Sequence, residues 1–377
     1  MLSIVIFGLA VGFALFFIGY SKNMLASRGL KEGTKECDKR SVVVVMATRN
    51  EERVIEKTIR TLFDEAPPSL RTVVVDESSD ATYPILDRLA TEFPNLVVVR
   101  HEGPLGKPSA LNIALDRVTE DIVLFLDADA RFSWTSIKYY MKAFSNPKVN
   151  AVFADFASYN KERTLAVMLQ DVYFSFAKAF VFSGLFSKPI FMNSGFFVRR
   201  EVFDIVGKFD PKTIVDDFDL RLRMGGKNFK ARFIRGPKCG IQYAFHIKDM
   251  LNQHCRWFTG WIRKIFEQIG KGRYSYVLVL GGIVMLVFFP YIVLLLAYVL
   301  RFPFFLNMVL PLFLSVAYSA SLSAYLFYEV KNWREAFVNA FLGMFVIYVL
   351  LQITIVISFI KAFRRRQAWY KVRRERA

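Results

Sequence analysis

Cysteine and histidine are scarce in this sequence of 377 residues, which contains three of each. The cysteines, Cys37, Cys239 and Cys255, form no C-x-x-C pair, and the histidines show no metal-ligand spacing. Neither a disulfide scaffold nor a zinc site is therefore expected, and the chain suits a reducing compartment. A Walker phosphate loop is also missing, because no stretch has the G-x-x-x-x-G-K-[ST] spacing.

Acidic residues are in the minority, with 33 Asp and Glu against 51 Lys and Arg and a formal net charge of +18. A basic protein binds nucleic acid, an anionic membrane surface or acidic small molecules. Much of the excess flanks apolar runs, where basic side chains are attracted to lipid head groups. We therefore expect membrane contact and no nucleic-acid partner. The flanking bases are Lys22, Arg28, Lys31, Lys35, Lys39, Arg40, Arg364, Arg365, Arg366, Lys371, Arg373, Arg374 and Arg376.

Hydrophobic residues make up 54% of the chain, including 39 Phe, which excludes an ordinary soluble protein. They concentrate at residues 1–20 and 275–361, whereas residues 21–270 have the composition of a globular α/β domain. The expected organisation is a membrane anchor, a globular domain, an amphipathic interfacial helix, C-terminal membrane helices and a basic tail. Their bounds are 1–21, 22–245, 246–275, 276–361 and 362–377.

About four apolar segments are long enough to span a bilayer, namely Leu2–Tyr20, Tyr276–Leu300, Pro303–Tyr328 and Ala336–Ile360. Positive charges follow the first segment, which indicates an uncleaved anchor with a cytosolic C-terminal flank. Four spans would return the tail to the outside, although eight Lys or Arg occur from Lys361 onward. Either one segment does not cross or the tail departs from the positive-inside tendency. Leu165–Phe186 is amphipathic and predicts a second interfacial helix.

Strands and helices alternate through the globular region, which predicts a doubly wound, Rossmann-like α/β sheet. Ligands of such sheets bind outside the carboxyl ends of the strands. Polar clusters follow three of the first four strands: Thr48-Arg49-Asn50-Glu51, Asp76-Glu77 and Asp127-Ala128-Asp129. The predicted strands are Ser41–Met46, Arg71–Val75, Leu96–Arg100, Asp121–Leu126, Ile190–Val198 and Ala231–Ile234, and the helices run over Asn50–Phe63, Tyr83–Glu92 and Pro108–Val118.

The Asp127-Ala128-Asp129 motif follows a buried apolar strand, where two carboxylates can hold a hard divalent ion that bridges phosphates. Such an ion neutralises charge on a departing diphosphate. The alternative is a solvated loop that caps a helix over Ser133–Phe144. Asp76 can accept hydrogen bonds from a ribose or base, or have a structural role, whereas Asp80 is better suited to capping a helix.

A glycine-rich segment, Gly103-Pro104-Leu105-Gly106-Lys107, precedes the Pro108 helix. Its glycines allow a ligand to approach the backbone, and Lys107 offers a positive charge to phosphate.

Three acids lie within four residues at Asp216, Asp217 and Asp219. Close carboxylates raise one another's pKa unless cations offset them, and a general base within reach of a hydroxyl is the functional interpretation. The structural alternative is an acidic helix start. Asp217 is the best single candidate for the base.

The segment Gln253-His254-Cys255-Arg256-Trp257 lies on a predicted amphipathic helix over Ile247–Ile269. Its Gln and Arg side chains can reach a diphosphate or an acceptor. An interfacial helix with Trp257 and Trp261 as anchors is the structural alternative, and both can hold together.

Taken together, these residues resemble the family 2 inverting glycosyltransferases of GT-A fold, in the cellulose, chitin and hyaluronan synthase branch, in a reduced form. The resemblance covers about Val42–Gly260. Ala47-Thr48-Arg49-Asn50-Glu51 stands where the family usually has Pro-x-x-Asn-Glu. Gly106-Lys107-Pro108-Ser109-Ala110-Leu111-Asn112 is similar to its Gly-Lys-x-x-Ala-Leu-Asn segment, and Val215-Asp216-Asp217 replaces Thr-Glu-Asp. Gln253, Arg256 and Trp257 match Gln-x-x-Arg-Trp, the most specific element.

The resemblance implies a role for each matched residue. Asp217 is the catalytic base, Asp129 and Asp127 hold Mg²⁺ or Mn²⁺, and Asn193, Ser194, Gly195 and Trp257 shape the acceptor site. The implied donor-binding residues are Ala47, Arg49, Glu51, Asp76, Lys107, Asp127, Gln253, Arg256 and Trp257.

The resemblance also implies a donor that is a GDP- or UDP-linked sugar. The reduced membrane plan is similar to archaeal lipid-glycan mannosyltransferases, so the expected reaction moves mannose from GDP-mannose to a lipid-linked acceptor on the cytosolic face of the membrane. Two alternatives stay open: a processive polysaccharide synthase that uses a UDP-sugar, and a transporter with a ligand-binding cytosolic domain.

Overall fold

A computed structural model describes the backbone of most of the chain. The described residues are 2–31, 40–103, 105–184, 194–273, 277, 288–289, 291–299, 304–328 and 333–363. Several sequence predictions lie outside them: Asn193, the start of the strand at Ile190, most of the span Tyr276–Leu300, and the basic tail from Arg364.

The described helices and strands alternate through the first half of the chain. The strands are β1 (Val42–Thr48), β2 (Arg71–Asp76), β3 (Leu96–Arg100), β4 (Ile122–Phe125), β5 (Ala151–Ser158), β6 (Phe196–Arg199) and β7 (Ala231–Ile241). The helices are α1 (Leu2–Lys31), α2 (Ile55–Phe63), α3 (Thr82–Glu92), α4 (Lys107–Leu115), α5 (Trp134–Met141), α6 (Leu165–Phe176), α7 (Glu201–Val206), α8 (Asp216–Gly226), α9 (Ile247–Gly270), α10 (Leu310–Tyr328) and α11 (Trp333–Ala362).

The described residues divide into two compact units, and neither is a continuous piece of chain. The sheet unit contains the described residues within 22–162 and 182–243, and the helical unit contains those within 1–21, 163–181 and 244–372. The segment around α6 therefore belongs to the helical unit, although it lies between two stretches of the sheet unit in the sequence.

Seven strands form one sheet in the order β3-β2-β1-β4-β6-β5-β7. The β1–β2, β2–β3, β1–β4 and β5–β7 pairs are parallel, as expected for strands joined by crossover helices. The sheet is mixed rather than wholly parallel, because β6 runs antiparallel to both β4 and β5. The near-continuous apolar sequence of β1 fits its central position, since all but one of its residues are buried.

In the helical unit, apolar side chains pack α6 against α9, α10 and α11. Leu169 on α6 lies in one cluster with Met250 and Leu350, and Val172 packs against Tyr325. Three described segments are long and apolar enough to cross a membrane: Leu2–Ser27, Leu165–Phe182 and Leu306–Tyr328. The interfacial helix predicted at Leu165–Phe186 overlaps the second of these segments, Leu165–Phe182, which has the length and composition of a span and is 72% buried inside the protein.

Candidate active site

Parallel strands β2, β1 and β4 end at one edge of the sheet, as the sequence predicts. Thr48 at the end of β1 pairs with Asp76 at the end of β2, and Val45 pairs with Phe125 on β4. The polar residues after these strands therefore start from neighbouring positions on the sheet.

The Asp76 carboxylate is fully buried and held by protein donors. Its Oδ1 accepts hydrogen bonds from Thr48 Oγ1 at 2.8 Å and Ser78 Oγ at 2.5 Å, and its Oδ2 accepts one from Ser78 N at 3.3 Å. These contacts fit the structural interpretation of Asp76, and contact with a nucleoside stays a prediction. Asp80 accepts the Thr82 N–H at 2.9 Å, next to the start of α3.

The segment Thr48-Arg49-Asn50-Glu51 is hydrogen-bonded to the β2–α3 loop and the first residue of α3. Asn50 N donates to Ser78 Oγ at 2.8 Å, and Glu51 N donates to Thr82 Oγ1 at 2.7 Å. Asn50 adopts a positive φ of 56°, a conformation that Asn tolerates well. The helix predicted from Asn50 begins later, at Ile55.

Glu77 connects the end of β2 to the glycine-rich loop. Its Oε2 accepts the backbone N–H of Leu105 and, at 3.0 Å, that of Gly106. Gly106 has a φ of +84°, which favours glycine, and α4 begins at the next residue. These bonds fix the loop where Lys107 leaves the backbone.

Lys107 lies between two acidic segments. Its Nζ forms an ion pair of 2.7 Å with Asp127 Oδ1 and lies 3.4 Å from Asp216 Oδ2. Burial acts to lower the pKa of Lys107, but the two carboxylates outweigh it, so the pKa is raised above its usual range. The side chain keeps its charge, and it joins the β4 end to the start of α8.

Asp217 is adjacent to that ion pair, in the first turn of α8. Burial and the charge of Asp216 raise its pKa to about 7, while Lys107 acts in the opposite direction. A carboxylate with a pKa near neutrality has the acidity required of a general base at physiological pH. Asp216 Oδ2 is buried and forms no hydrogen bond with any described residue, and the Lys107 ammonium at 3.4 Å offsets its charge.

The turn after β4 carries Asp127 and Asp129. Asp127 N donates to Ser194 Oγ at 2.8 Å, and Asp129 Oδ2 accepts from Gln242 N at 3.3 Å. The helix that follows, α5, is capped by Ser133, whose Oγ accepts the Ser136 N–H. The turn therefore both precedes a capped helix and presents two carboxylates.

The acidic excess around Lys107 fits a divalent cation. The Asp127, Asp216 and Asp217 carboxylates all interact electrostatically with Lys107, which forms ion pairs with the first two. Within the described residues, no group of three His, Cys, Asp or Glu has the arrangement of a complete metal site. Mg²⁺ is commonly held by one or two carboxylates together with the phosphates of a ligand, so Asp127 and Asp129 suit such an ion.

Ser194 and Gly195 lie at the start of β6. Gly195 N donates to Phe125 O at 3.0 Å, and Gly195 has a φ of +85°. A Cβ there would come within 3.3 Å of Cys239, so a larger residue would be strained. This segment shapes the Asp127 turn, and its predicted contact with an acceptor stays untested.

Gln253, Arg256 and Trp257 lie on α9, in the helical unit. Trp257 packs against His254, with ring centroids 5.2 Å apart, and against Phe174 at 6.2 Å. Burial lowers the pKa of His254 to about 4, so its ring is neutral. Trp257 is therefore fixed by aromatic neighbours, while the sheet unit brings together Lys107, Asp127 and the α8 acids.

Three site residues carry a role that sequence reasoning missed. Asp216 belongs to the acidic run, but nothing in the sequence indicates that it approaches Lys107. Gln242 comes directly after a strand that extends seven residues beyond the predicted end at Ile234. Arg131 follows Asp129 by two residues and donates a hydrogen bond to Thr58 on α2. No pattern in the sequence indicates that these two residues are in contact.

Comparisons with known proteins give a matching domain family and several similar proteins. The family model described as Glycosyl transferase family 2 matches residues 43–207. A beta-monoglucosyldiacylglycerol synthase of Synechocystis sp. is 30% identical over 237 residues, which are 60% of this chain and 49% of that protein. A poly-beta-1,6-N-acetyl-D-glucosamine synthase of Staphylococcus aureus is 22% identical over 67% of this chain and 63% of its own length. The chain thus spans about half the length of the first of these relatives.

A solved structure shares the fold along nearly the whole chain. It is a mannosyltransferase from Pyrobaculum calidifontis in complex with GDP-Man and Mn²⁺, with a TM-score of 0.59 and 19% identity. The similarity covers 96% of this chain and 100% of that one.

Proposed function

We propose that this chain, a member of glycosyl transferase family 2 by the domain at residues 43–207, is a membrane-integral inverting glycosyltransferase that moves a hexose from a nucleoside diphosphate sugar to a lipid-linked acceptor. One observation carries the proposal. Lys107 joins Asp127 to Asp216 beside Asp217, whose pKa is raised to about 7. A cation for phosphate and a base for a hydroxyl thus lie side by side.

The donor proposed for the first test is GDP-mannose. It is supported by the reduced membrane plan and by the mannosyltransferase that has this fold and was solved with GDP-Man. UDP-sugars are the competing donors, and they would accompany the alternative of a polysaccharide synthase.

The acceptor is proposed to be a lipid. Apolar helices Leu2–Ser27 and Leu306–Tyr328 have the length and composition of membrane spans, and a relative is named for a glucosylated diacylglycerol. A lipid acceptor presents its hydroxyl at the membrane surface. The basic flank after α1 supports a catalytic domain on the cytosolic face of a multi-pass protein.

Asp127 and Asp129 are the residues proposed to hold Mg²⁺ or Mn²⁺. Such an ion, when bound, supplies positive charge that offsets the charge of a leaving diphosphate.

The chain's own residues account for proton transfer and charge. Asp217 removes the proton from the acceptor hydroxyl, whose oxygen forms a bond to the anomeric carbon as the bond from that carbon to the diphosphate oxygen breaks. This single displacement inverts the anomeric centre. Asp216 keeps the pKa of Asp217 high enough for it to accept the proton, and Lys107 offers its ammonium to the diphosphate. The family resemblance also assigns donor contacts to Gln253, Arg256 and Trp257, and this assignment stays a prediction.

The test is sugar transfer by membranes that contain the full chain, with labelled GDP-mannose, UDP-glucose or UDP-N-acetylglucosamine and Mn²⁺. We expect a chloroform-soluble product. Asp217→Asn should retain donor binding while turnover falls by about 100-fold or more, because the general base is lost. The matched control is Asp204→Asn on α7, an exposed acid whose side chain is 64% accessible.

Unchanged turnover in Asp217→Asn would remove that residue from its proposed role. A long water-insoluble polymer would favour the synthase alternative. Movement of a sugar nucleotide across the membrane without hydrolysis or transfer would favour a transporter.

A further inference from the structure

The Asp127 turn is hydrogen-bonded to several other segments of the sheet unit. Leu126 N donates to Val45 O at 3.1 Å, and Arg131 N donates to Gly240 O at 2.8 Å, with Gly240 N returning a bond of 2.9 Å to Arg131 O. Ser194 and Gln242 hold Asp127 and Asp129 as described above. The two alanine carbonyls inside the turn are held by side chains instead.

Thr58 and Arg131 supply those side-chain contacts. Thr58 Oγ1, which is buried on α2, lies 2.5 Å from Ala128 O and 3.1 Å from Val54 O of its own helix, and its single proton is donated to the nearer oxygen, Ala128 O. The same oxygen accepts a hydrogen bond from Arg131 Nη1, and Nη1 also donates to Ala130 O at 3.1 Å. The Arg131 guanidinium lies 4.9 Å from the ring centroid of Tyr159, which restricts its position.

We propose that Thr58 and Arg131 are positioning residues that hold the Asp127-Ala128-Asp129 turn in the shape in which both carboxylates bind one divalent cation. The proposal rests on the proposed function, since it assumes that these carboxylates take a metal. A carbonyl between two ligand residues cannot rotate without moving at least one carboxylate, and the Thr58 hydroxyl fixes that carbonyl. Replacing a residue that holds a metal ligand in place typically weakens metal binding by about 10-fold to 100-fold.

Thr58 gives the sharper test of the pair. Loss of Arg131 would also remove a positive charge near Asp129, and this alone would strengthen cation binding. Substitution of Thr58 changes no charge. Thr58→Val keeps the shape and removes the hydroxyl, whereas Thr58→Ser keeps the hydroxyl.

The experiment measures binding of Mn²⁺ to the full chain in detergent by calorimetry, with GDP or UDP present and no acceptor. We expect Thr58→Val to weaken Mn²⁺ binding by about 10-fold to 100-fold, and Thr58→Ser to bind within about twofold of the unmodified protein. The control is Thr61→Val, one turn along α2, where the hydroxyl donates to Lys57 O of its own helix at 2.7 Å. Melting temperatures of all variants separate misfolding from a local loss.

Equal Mn²⁺ affinity in Thr58→Val and Thr58→Ser would overturn the positioning role while leaving the proposed function intact. A weakening of the same size in Thr61→Val would overturn it as well. Loss of a hydroxyl on α2 that makes no bond to the turn would then have the same effect as loss of the Thr58 hydroxyl. Failure of the unmodified chain to bind Mn²⁺ beside GDP or UDP would overturn the metal assignment itself, and the proposal with it.

Discussion

Asp217 is the residue whose ionisation should be visible in the pH dependence of the reaction, since its raised pKa of about 7 lies inside the accessible pH range. A base acts only when it is deprotonated. Sugar transfer should therefore fall as pH drops below about 7 and approach a slope of tenfold per pH unit. The measurement is kcat/KM against pH for the full chain, with a control for metal loading at each pH.

Replacing a charged neighbour of Asp217 should shift the pH profile in a direction that depends on the charge removed. The charge of Asp216 raises the pKa of Asp217, so Asp216→Asn should move the acidic limb to lower pH. The charge of Lys107 lowers it, so Lys107→Met should move the limb to higher pH. Shifts in the same direction for both variants would contradict the assignment of the limb to Asp217.

At the scale of single residues, the acidic residues of the candidate site could be predicted from the sequence, but the residues that contact them could not. Asp127, Asp129 and Asp217 stand out because carboxylates cluster near predicted strand and helix ends. Their contacts with Ser194, Gln242 and Lys107 depend on chain segments between 20 and 113 residues away in the sequence. No local pattern encodes such contacts, since they arise only when the sheet brings those segments together.

At the scale of helices and strands, close packing of α1 against α10 in the helical unit depends on glycine. A Cβ on Gly12 would lie 2.1 Å from Ser319 Oγ and 2.3 Å from Val316 O, and one on Gly8 would lie 1.9 Å from Ser315 Oγ. Small residues at such positions allow membrane helices to approach closely.

Gly12→Ala should therefore destabilise the protein by about 1–3 kcal/mol, because the added methyl group has no room. Helix propensity alone would give the opposite result, since alanine is more favourable than glycine in a helix by about 1 kcal/mol. A loss of stability therefore indicates a steric conflict between the helices. Thermal unfolding in detergent measures the change. Gly270→Ala at the end of α9 is the control, where an added Cβ meets nothing within 4 Å. An unchanged or higher Tm for Gly12→Ala would show that α1 does not need this contact.

The sequence predicts the elements best where local signals are strong. The predicted β1, β2, β3 and β4 lie within two residues of those observed, since each is an apolar run bounded by polar residues. The antiparallel β6 could not be inferred, because direction depends on the path of the chain before it. No sequence pattern was assigned to β5, and β7 continues beyond Ile234 through a polar stretch with Arg235 and Lys238.

At the scale of the whole molecule, apolar segments should determine where the protein resides. We expect the full chain to sediment with membranes and to remain there after washes with high salt and alkaline carbonate. Contact through basic residues alone would be screened by salt, so salt release would contradict spanning helices. Immunoblotting of the washed pellet and supernatant measures the distribution, and a peripheral membrane protein serves as the control.

The chain leaves the sheet unit at Arg163 and returns to it at Phe182, and this path limits how the catalytic half can be isolated. A fragment cut after Tyr243 would keep Leu169 and Val172 but lose their packing partners Met250, Leu350 and Tyr325. Removing the C-terminal helices would thus expose an apolar surface on α6, and the fragment would be prone to aggregation. A tractable fragment would need the stretch between Glu162 and Phe182 replaced by a short polar linker.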